Sequence, residues 1–152
     1  MEKDMIARRL SKDDRLVLVA SESYLAHTDL FTHPRDLGRH RILIRRPRSG
    51  VAQPWSLSRN RETVRIDGEA SLSVDSAIAA RQFAIAGLGL ALLAYEFVAA
   101  QLKAGLLHLV LPDWQQPVAG FHLMYVHRGN LPPPVWELER AVRQLADRVQ
   151  PT

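Results

Sequence analysis

The sequence of 152 residues contains no cysteine, and this absence excludes several classes of protein. Disulfide frameworks, cysteine-ligated zinc or iron–sulfur centres and cysteine nucleophiles all require a thiol. The six histidines do not compensate, because none stands in an HExxH pattern or in a tight cluster with acidic residues. We therefore predict no metal site and no cofactor.

Long apolar runs are also lacking. The longest covers residues 88–95 and resumes at residues 97–100 beyond Glu96, whereas a membrane helix needs about 20 apolar residues. The first ten residues, MEKDMIARRL, lack the apolar core of a signal peptide. The sequence thus predicts a cytoplasmic protein with no membrane partner.

Aromatic residues make up only 7% of the chain, while positive charge is concentrated in one segment. From Arg35 to Arg65 there are nine arginines and two acidic residues, which gives a net charge of +7. Such a segment can attract nucleic acid or a small anion, or can simply form a solvated basic surface. Trp55 is its only aromatic residue, so the segment offers few stacking platforms for a single nucleic-acid strand.

Apolar periodicity predicts strands that alternate with helices, an order typical of an α/β fold with a largely parallel sheet. The predicted strands cover residues 15–21, 41–45, 55–58, 63–74, 90–93, 106–112 and 121–127. The predicted helices cover residues 23–28, 33–40, 75–87 and 96–105, and a final helix follows Pro134. We expect Pro112 to stop its strand and helix 75–87 to be mostly buried. The final helix carries one apolar stripe, formed by Val135, Leu138, Val142, Leu145 and Val149.

The glycine pair in AIAGLGLALL, residues 84–93, raises the question of a phosphate-binding loop. A dinucleotide-binding fingerprint follows a strand and opens a helix, whereas here the helix comes first. The third glycine is absent as well, because Leu92 stands three residues after Gly89. We therefore expect Gly87 to end the helix with a positive φ and the pair to form a tight turn.

The context of this turn resembles the effector-binding domain of LysR-type transcriptional regulators. In that family a helix ends in Ala-Gly-Leu-Gly, a strand follows, and a second helix closes before Gly-x-Leu and Val-Leu-Pro-x-Trp. Residues 74–93 and 97–117 follow this order, and further matching pieces are ARRL, RLVLVASESYLAHT, HPRDLGRHRIL and YVHRGNLPPPVWELERAV. The resemblance extends roughly from Ile6 to Val149, which is almost the whole chain.

The resemblance implies a type 2 periplasmic-binding-protein-like α/β fold and a division of the chain. Residues from about 10 to 118 would form the second lobe, and residues from about 119 to 149 the returning strand and final helix of the first lobe. The family's DNA-binding helix-turn-helix and most of its first lobe have no counterpart, so the chain resembles a member truncated at its N-terminus. The implied function is to sense a small anionic effector, such as a carboxylate, between the lobes and to control DNA binding by a domain absent here.

The same resemblance places the effector site at strand ends and at a helix N-terminus of the second lobe. The candidate ligand-binding residues are Arg45 and Arg46 after one strand, and Ser73, Asp75 and Ser76 around the start of helix 75–87. Exposed backbone N–H groups and arginines favour a carboxylate or a phosphate. Asp75 would oppose an anion and is expected to cap the helix instead, a role that Ser76 could also take.

Two residues depart from the family pattern near this site. Ala94 stands where a proline usually follows the strand, and Val74 stands where an asparagine often precedes the aspartate. Valine removes an amide that could form a hydrogen bond with a ligand.

Two alternative functions remain open at this point. A small α/β enzyme could use an anion site at Arg45 and Arg46, although no G-x-S-x-G motif or base–nucleophile pair is visible. A nucleic-acid-binding module could use the segment of charge +7.

The family also forms dimers or larger assemblies, and truncation would add a reason for this chain to do so. The returning strand and the final helix would lose their sheet partners in the first lobe. We therefore expect self-association to cover the apolar stripe of the final helix.

Overall fold

The computed structural model describes residues 5–46, 54–66, 72–126, 136–138, 140–142 and 144. The chain divides into two compact units. One is formed by Arg15–Pro117, and the other combines Met1–Asp14 with Val118–Thr152. None of the helices in the described ranges is long and apolar enough to cross a membrane.

The described part contains nine strands, three short α-helices and one 3-10 helix, and several strands follow one another without an intervening helix. The strands are β1 (Met5–Arg9), β2 (Asp14–Ala20), β3 (Ile42–Arg45), β4 (Trp55–Arg59), β5 (Glu62–Ile66), β6 (Leu72–Val74), β7 (Leu90–Ala94), β8 (His108–Val118) and β9 (His122–Val126). The α-helices are α1 (Glu22–Leu25), α2 (Ala77–Ile85) and α3 (Tyr95–Lys103), and the 3-10 helix is Pro34–Arg39. The predicted strand 63–74 corresponds to β5 and β6, and residues 67–71 lie outside the described residues.

Seven of the strands form one sheet in the order β5-β4-β8-β2-β7-β3-β6. β3 is parallel to β6 and β7, whereas β2 is antiparallel to β7, and β4 is antiparallel to β5 and β8. The prediction of a largely parallel sheet is therefore wrong, and the sheet is mixed. One reason is the two-residue turn Asn60–Arg61 between β4 and β5, because only antiparallel strands can be joined so tightly.

β8 is longer than the sequence predicted, because it continues through Pro112 to Val118. Leu111, the residue before the proline, has a φ of 50°, so the backbone departs from the extended conformation at this residue. Pro112 is exposed, and a proline is tolerated in a strand where its missing N–H would face solvent. The prediction that Pro112 stops the strand is therefore wrong.

The seven-stranded sheet has a buried cluster on each face, since side chains alternate along a strand. In β2, Leu18 belongs to one cluster and Val19 to the other. The first cluster includes residues from α1, the 3-10 helix and the β4–β5 hairpin, and both Trp55 and Trp114 are buried in it. The second cluster is covered by α2 and α3.

α2 contacts this second cluster mainly through alanines, and Ala77, Ala79 and Ile85 are partly buried against it. Ala80 and Ala84 are its buried residues, whereas Ile78 is 60% exposed and Phe83 is 36% exposed. The prediction of a mostly buried helix is therefore wrong, because only one face of α2 packs on the sheet and its outer face remains exposed.

In the other unit, β1 pairs antiparallel with β9, from Met5 opposite Val126 to Arg9 opposite His122. The returning strand therefore has a partner, contrary to our expectation from the sequence. The Gly120 N–H donates to the Asp13 carboxylate at 2.9 Å, and the Arg9 guanidinium lies 2.9 Å from it. The hydrogen bond from Gly120 is the larger of the two effects that hold the pKa of Asp13 below its ordinary value, and the charge of Arg9 adds to it.

The final helix is described in part, with helical backbone at residues 136–138, 140–142 and 144. Of its predicted apolar stripe, Leu138 is 51% exposed and Val142 is part-buried. Val135, Leu145 and Val149 lie outside the described residues.

Candidate functional site

Strand pairing brings Arg45, Arg46, Asp75 and Ser76 to one edge of the seven-stranded sheet. Ser73 lies one residue before this edge. Arg45 of β3 is in register with Val74 of β6, and the Arg46 N–H donates to the Val74 carbonyl at 2.7 Å. β7 is parallel to β3, with Leu43 opposite Ala91, so its carboxyl end lies at the same edge. We call this the carboxyl edge, formed by Arg45, Arg46, Val74–Ser76 and Ala94–Tyr95.

The candidate residues do not all belong to the same face of the sheet at this edge. Arg45 has the strand parity of Leu43, which packs in the α2–α3 cluster. Ser73 is paired with Ile44, which packs in the opposite cluster. Arg45, Arg46 and Ser73 are all exposed, so a ligand would reach Ser73 only around the end of the sheet.

The start of α2 shows which residue caps the helix. Ser76 has extended backbone angles, and its Oγ accepts a hydrogen bond from the Ala79 N–H at 3.2 Å. Asp75 is exposed and lies one residue outside the cap. The expectation that Asp75 caps the helix is therefore wrong, and its carboxylate adds negative charge to the surface of this edge.

The two departures from the family pattern have simple structural settings. The Val74 side chain is buried in the α2–α3 cluster, so this position contributes to packing in this chain. Ala94 precedes α3 with a φ of −60°, which is the value that a proline would impose.

Sequence reasoning missed Arg15 and Tyr95 at the carboxyl edge. The Arg15 guanidinium carbon lies 4.0 Å from the centroid of the Tyr95 ring. β2 and β7 are antiparallel with Leu16 opposite Ala94, and this pairing brings the two residues together. No local signal in the sequence indicates a contact between residues so far apart.

The carboxyl edge combines groups that suit a small anion. Two exposed arginines lie beside the start of a nine-residue helix, where backbone N–H groups and the helix dipole favour negative charge. The Ser76 hydroxyl accepts one hydrogen bond and still has its own proton to donate. In open α/β sheets, ligands commonly bind outside the carboxyl ends of the strands. Within the described ranges, no three His, Asp or Glu side chains form a group that could hold a metal ion.

Comparison with known proteins gives a consistent result. The profile of the LysR substrate binding domain matches residues 1–147. The chain is 34% identical over 131 residues to the HTH-type transcriptional regulator PgrR of Escherichia coli, covering 86% of this chain and 44% of the relative. It is 33% identical over 141 residues to a putative transcriptional regulator of Pseudomonas aeruginosa, and this match covers 91% of this chain and 45% of the relative. The chain thus spans less than half the length of these relatives.

Solved structures of the same kind have a similar fold. The regulatory domain of AphB from Vibrio vulnificus superposes with a TM-score of 0.79 at 26% identity, covering 95% of this chain and 70% of that domain. The full-length virulence activator AphB of Vibrio cholerae, described as a member of the LTTR family, superposes with a TM-score of 0.81 at 25% identity. That match covers 96% of this chain and 49% of AphB. The resemblance noted in the sequence is thereby confirmed, and the chain belongs to the LysR substrate-binding domain family.

Proposed function

We propose that this chain is the effector-sensing part of a LysR-type transcriptional regulator that acts in the cytoplasm without catalysis. In this proposal a small anion binds to the chain and changes the arrangement of an assembly whose DNA-binding domain lies outside these residues. The names of the relatives as transcriptional regulators support it. Arg15–Pro117 would correspond to the second lobe, and β9 with the final helix to the returning part of the first.

The observation that carries the proposal is the composition of the carboxyl edge. Arg45 and Arg46 end one strand, and the paired strand β6 leads directly into α2. A carboxylate placed there could receive two N–H groups from one guanidinium and further donors from the start of α2, including Ser76. We therefore propose Arg45, Arg46 and Ser76 as the principal ligand contacts, with Ser73 at the rim and Asp75 as an opposing charge.

A calorimetric titration of the full chain tests this site. The probes are acetate and benzoate at constant ionic strength, so that a general salt effect is held fixed. We expect at least one of them to bind saturably. Arg45→Gln should weaken binding about tenfold, since charge-assisted hydrogen bonds are among the stronger ones. Asp75→Asn should strengthen it, because a like charge is removed.

Arg61→Gln is the matched control, since Arg61 is exposed on the turn between β4 and β5. This variant should bind the probes with the same dissociation constants as the unaltered chain. If Arg61→Gln weakened binding as much as Arg45→Gln, general electrostatic attraction would explain the data and the site would be rejected. Absence of saturable binding by either probe would reject a monocarboxylate effector at this edge.

The two alternative functions gain no support from these observations. The relatives are regulators rather than enzymes by their names. In the described ranges, the arginines of the basic segment lie on the 3-10 helix, at both ends of β3 and in the β4–β5 hairpin rather than along one element. A regulatory role accounts for the comparisons without a reaction or a nucleic-acid surface on this chain.

A further inference from the structure

A second concentration of cationic side chains lies at the other end of β3. A cavity of about 410 Å³ opens there between α1, the end of the 3-10 helix and the turn at Gly87. We call it the distal cavity, and the side chains that matter here are Ser23, Tyr24, His27, Arg39, His40 and Arg41. β3 separates it from the carboxyl edge by about 13 Å, at roughly 3.3 Å per residue. The distal cavity is thus a different place from the proposed effector site.

The charges around the distal cavity do not balance. Arg39 and Arg41 are both exposed, and Asp29 is the acidic residue in its lining. No carboxylate of the described residues lies within ion-pair distance of either guanidinium. The rings of His27 and His40 add further N–H donors to the lining.

The nearest carboxylate on the same helix is occupied elsewhere. Asp36 accepts hydrogen bonds from the backbone N–H groups of His33 at 2.9 Å and Thr32 at 3.0 Å. These bonds hold the pKa of Asp36 below its ordinary value and tie the carboxylate to the start of the 3-10 helix. Asp36 therefore stabilises the helix that presents Arg39 without neutralising Arg39.

Tyr24, at the floor of the distal cavity, positions Arg41 through two contacts. Tyr24 is buried, and its hydroxyl accepts a hydrogen bond from the Arg41 backbone N–H at 3.1 Å. The Arg41 guanidinium carbon also lies 5.5 Å from the Tyr24 ring centroid, within the range of a cation–π contact. A guanidinium held in this way loses less conformational freedom when it binds a ligand.

The two imidazoles are also held in place. The His40 ring lies against the Phe31 ring, with 4.3 Å between centroids. The His27 Nδ1 lies 3.0 Å from the Ser23 carbonyl oxygen. Because a carbonyl can only accept, Nδ1 carries a proton and Nε2 remains for a second partner.

Gly87 brings the turn after α2 against the rim of the distal cavity. A Cβ at this position would lie 2.8 Å from the Ser23 Oγ, so a side chain here would crowd that hydroxyl. The Ser23 hydroxyl lies 3.0 Å from the Ser21 hydroxyl, and the glycine leaves it room for one further hydrogen bond.

We propose that the distal cavity binds a small dianion, either a phosphate group or a dicarboxylate, between the guanidinium groups of Arg39 and Arg41. Two arginines supply paired N–H donors of the geometry that phosphate and carboxylate oxygens accept. Its volume lies within the range of small-molecule sites. This assignment does not depend on the proposed function of the carboxyl edge.

Calorimetric titration of the full chain with inorganic phosphate and with succinate, at constant ionic strength, tests the proposal. We expect at least one probe to bind saturably at a site that depends on Arg39 and Arg41. Arg39→Gln and Arg41→Gln should each weaken it about tenfold. Binding of phosphate alone would indicate a phosphoryl ligand, and binding of succinate alone a dicarboxylate.

The matched control is Arg35→Gln, because Arg35 is exposed on the same 3-10 helix and does not line the distal cavity. It should bind the probes within about twofold of the unaltered chain. The proposal would be overturned if Arg35→Gln lost as much affinity for the probes as Arg39→Gln, or if neither probe bound saturably. Circular dichroism shows which variants are folded, and Arg39→Gln decides the matter should Arg41→Gln not fold.

Discussion

At the scale of single residues, Gly89 allows the close approach between the start of β7 and the residue before β3. A Cβ at position 89 would lie 2.5 Å from the Arg41 carbonyl oxygen. That oxygen cannot easily move, because it accepts a hydrogen bond from the Leu90 N–H at 2.8 Å. The glycine is therefore required by backbone packing and not by a bound phosphate.

Gly89→Ala should lower the free energy of unfolding by about 3 kcal/mol, since the methyl group meets backbone that is already hydrogen-bonded. Denaturant titration of both forms measures this difference. Gly38→Ala is the control, because a Cβ there would meet nothing within 4 Å. It should leave stability unchanged or raise it by up to about 1 kcal/mol. If both variants lost a similar amount of free energy of unfolding, the steric explanation would be contradicted.

At the scale of elements, α2 depends on its cap. Ser76→Ala removes the acceptor for the Ala79 N–H and should lower the free energy of unfolding by about 1 kcal/mol. Asp75→Ala should change it by no more than about 0.5 kcal/mol, because Asp75 is exposed and lies outside the cap. Denaturant unfolding of the two variants compares adjacent residues directly. A larger loss in Asp75→Ala would show that the aspartate is the effective cap.

A second comparison at these two positions separates the structural and binding roles of this segment. Asp75→Asn should leave the free energy of unfolding nearly unchanged and strengthen anion binding. Ser76→Ala should lower the free energy of unfolding and weaken anion binding. An identical binding response to the two substitutions would argue against the start of α2 as part of the site.

At the scale of the whole molecule, the exposed apolar side chains of the final helix favour self-association. Trp136 is 56% exposed and Leu138 is 51% exposed. Contact with a second copy would remove this surface from water, worth about 25 cal/mol per Å² of buried apolar area. We expect sedimentation velocity to show a mass that rises with protein concentration.

Leu138→Gln should shift this equilibrium toward the monomer, because it replaces an exposed apolar side chain with a polar one. Glu137→Gln is the matched control, since Glu137 is an exposed neighbour on the same helix and should leave the equilibrium unchanged. A monodisperse monomer at high concentration of the unaltered chain would disprove self-association through this helix.

Several features of this protein were determined by the sequence itself. The order of the family motifs predicted the domain family, which the comparisons confirm. Gly87, two residues after α2, has a φ of 77°, as its position at the end of the predicted helix 75–87 indicated. A helix end or a positive φ can be predicted from the sequence because it depends on a few neighbouring residues.

Other features were decided only by the tertiary structure. The pairing of β2 with β7 makes the sheet mixed and brings Arg15 to Tyr95. The distal cavity joins Ser23, Arg41 and Gly87 from three separate segments. In each case the contact depends on which strands become neighbours and in which register. That choice minimises the free energy of the whole packed sheet, so a pattern read along the chain does not reveal it.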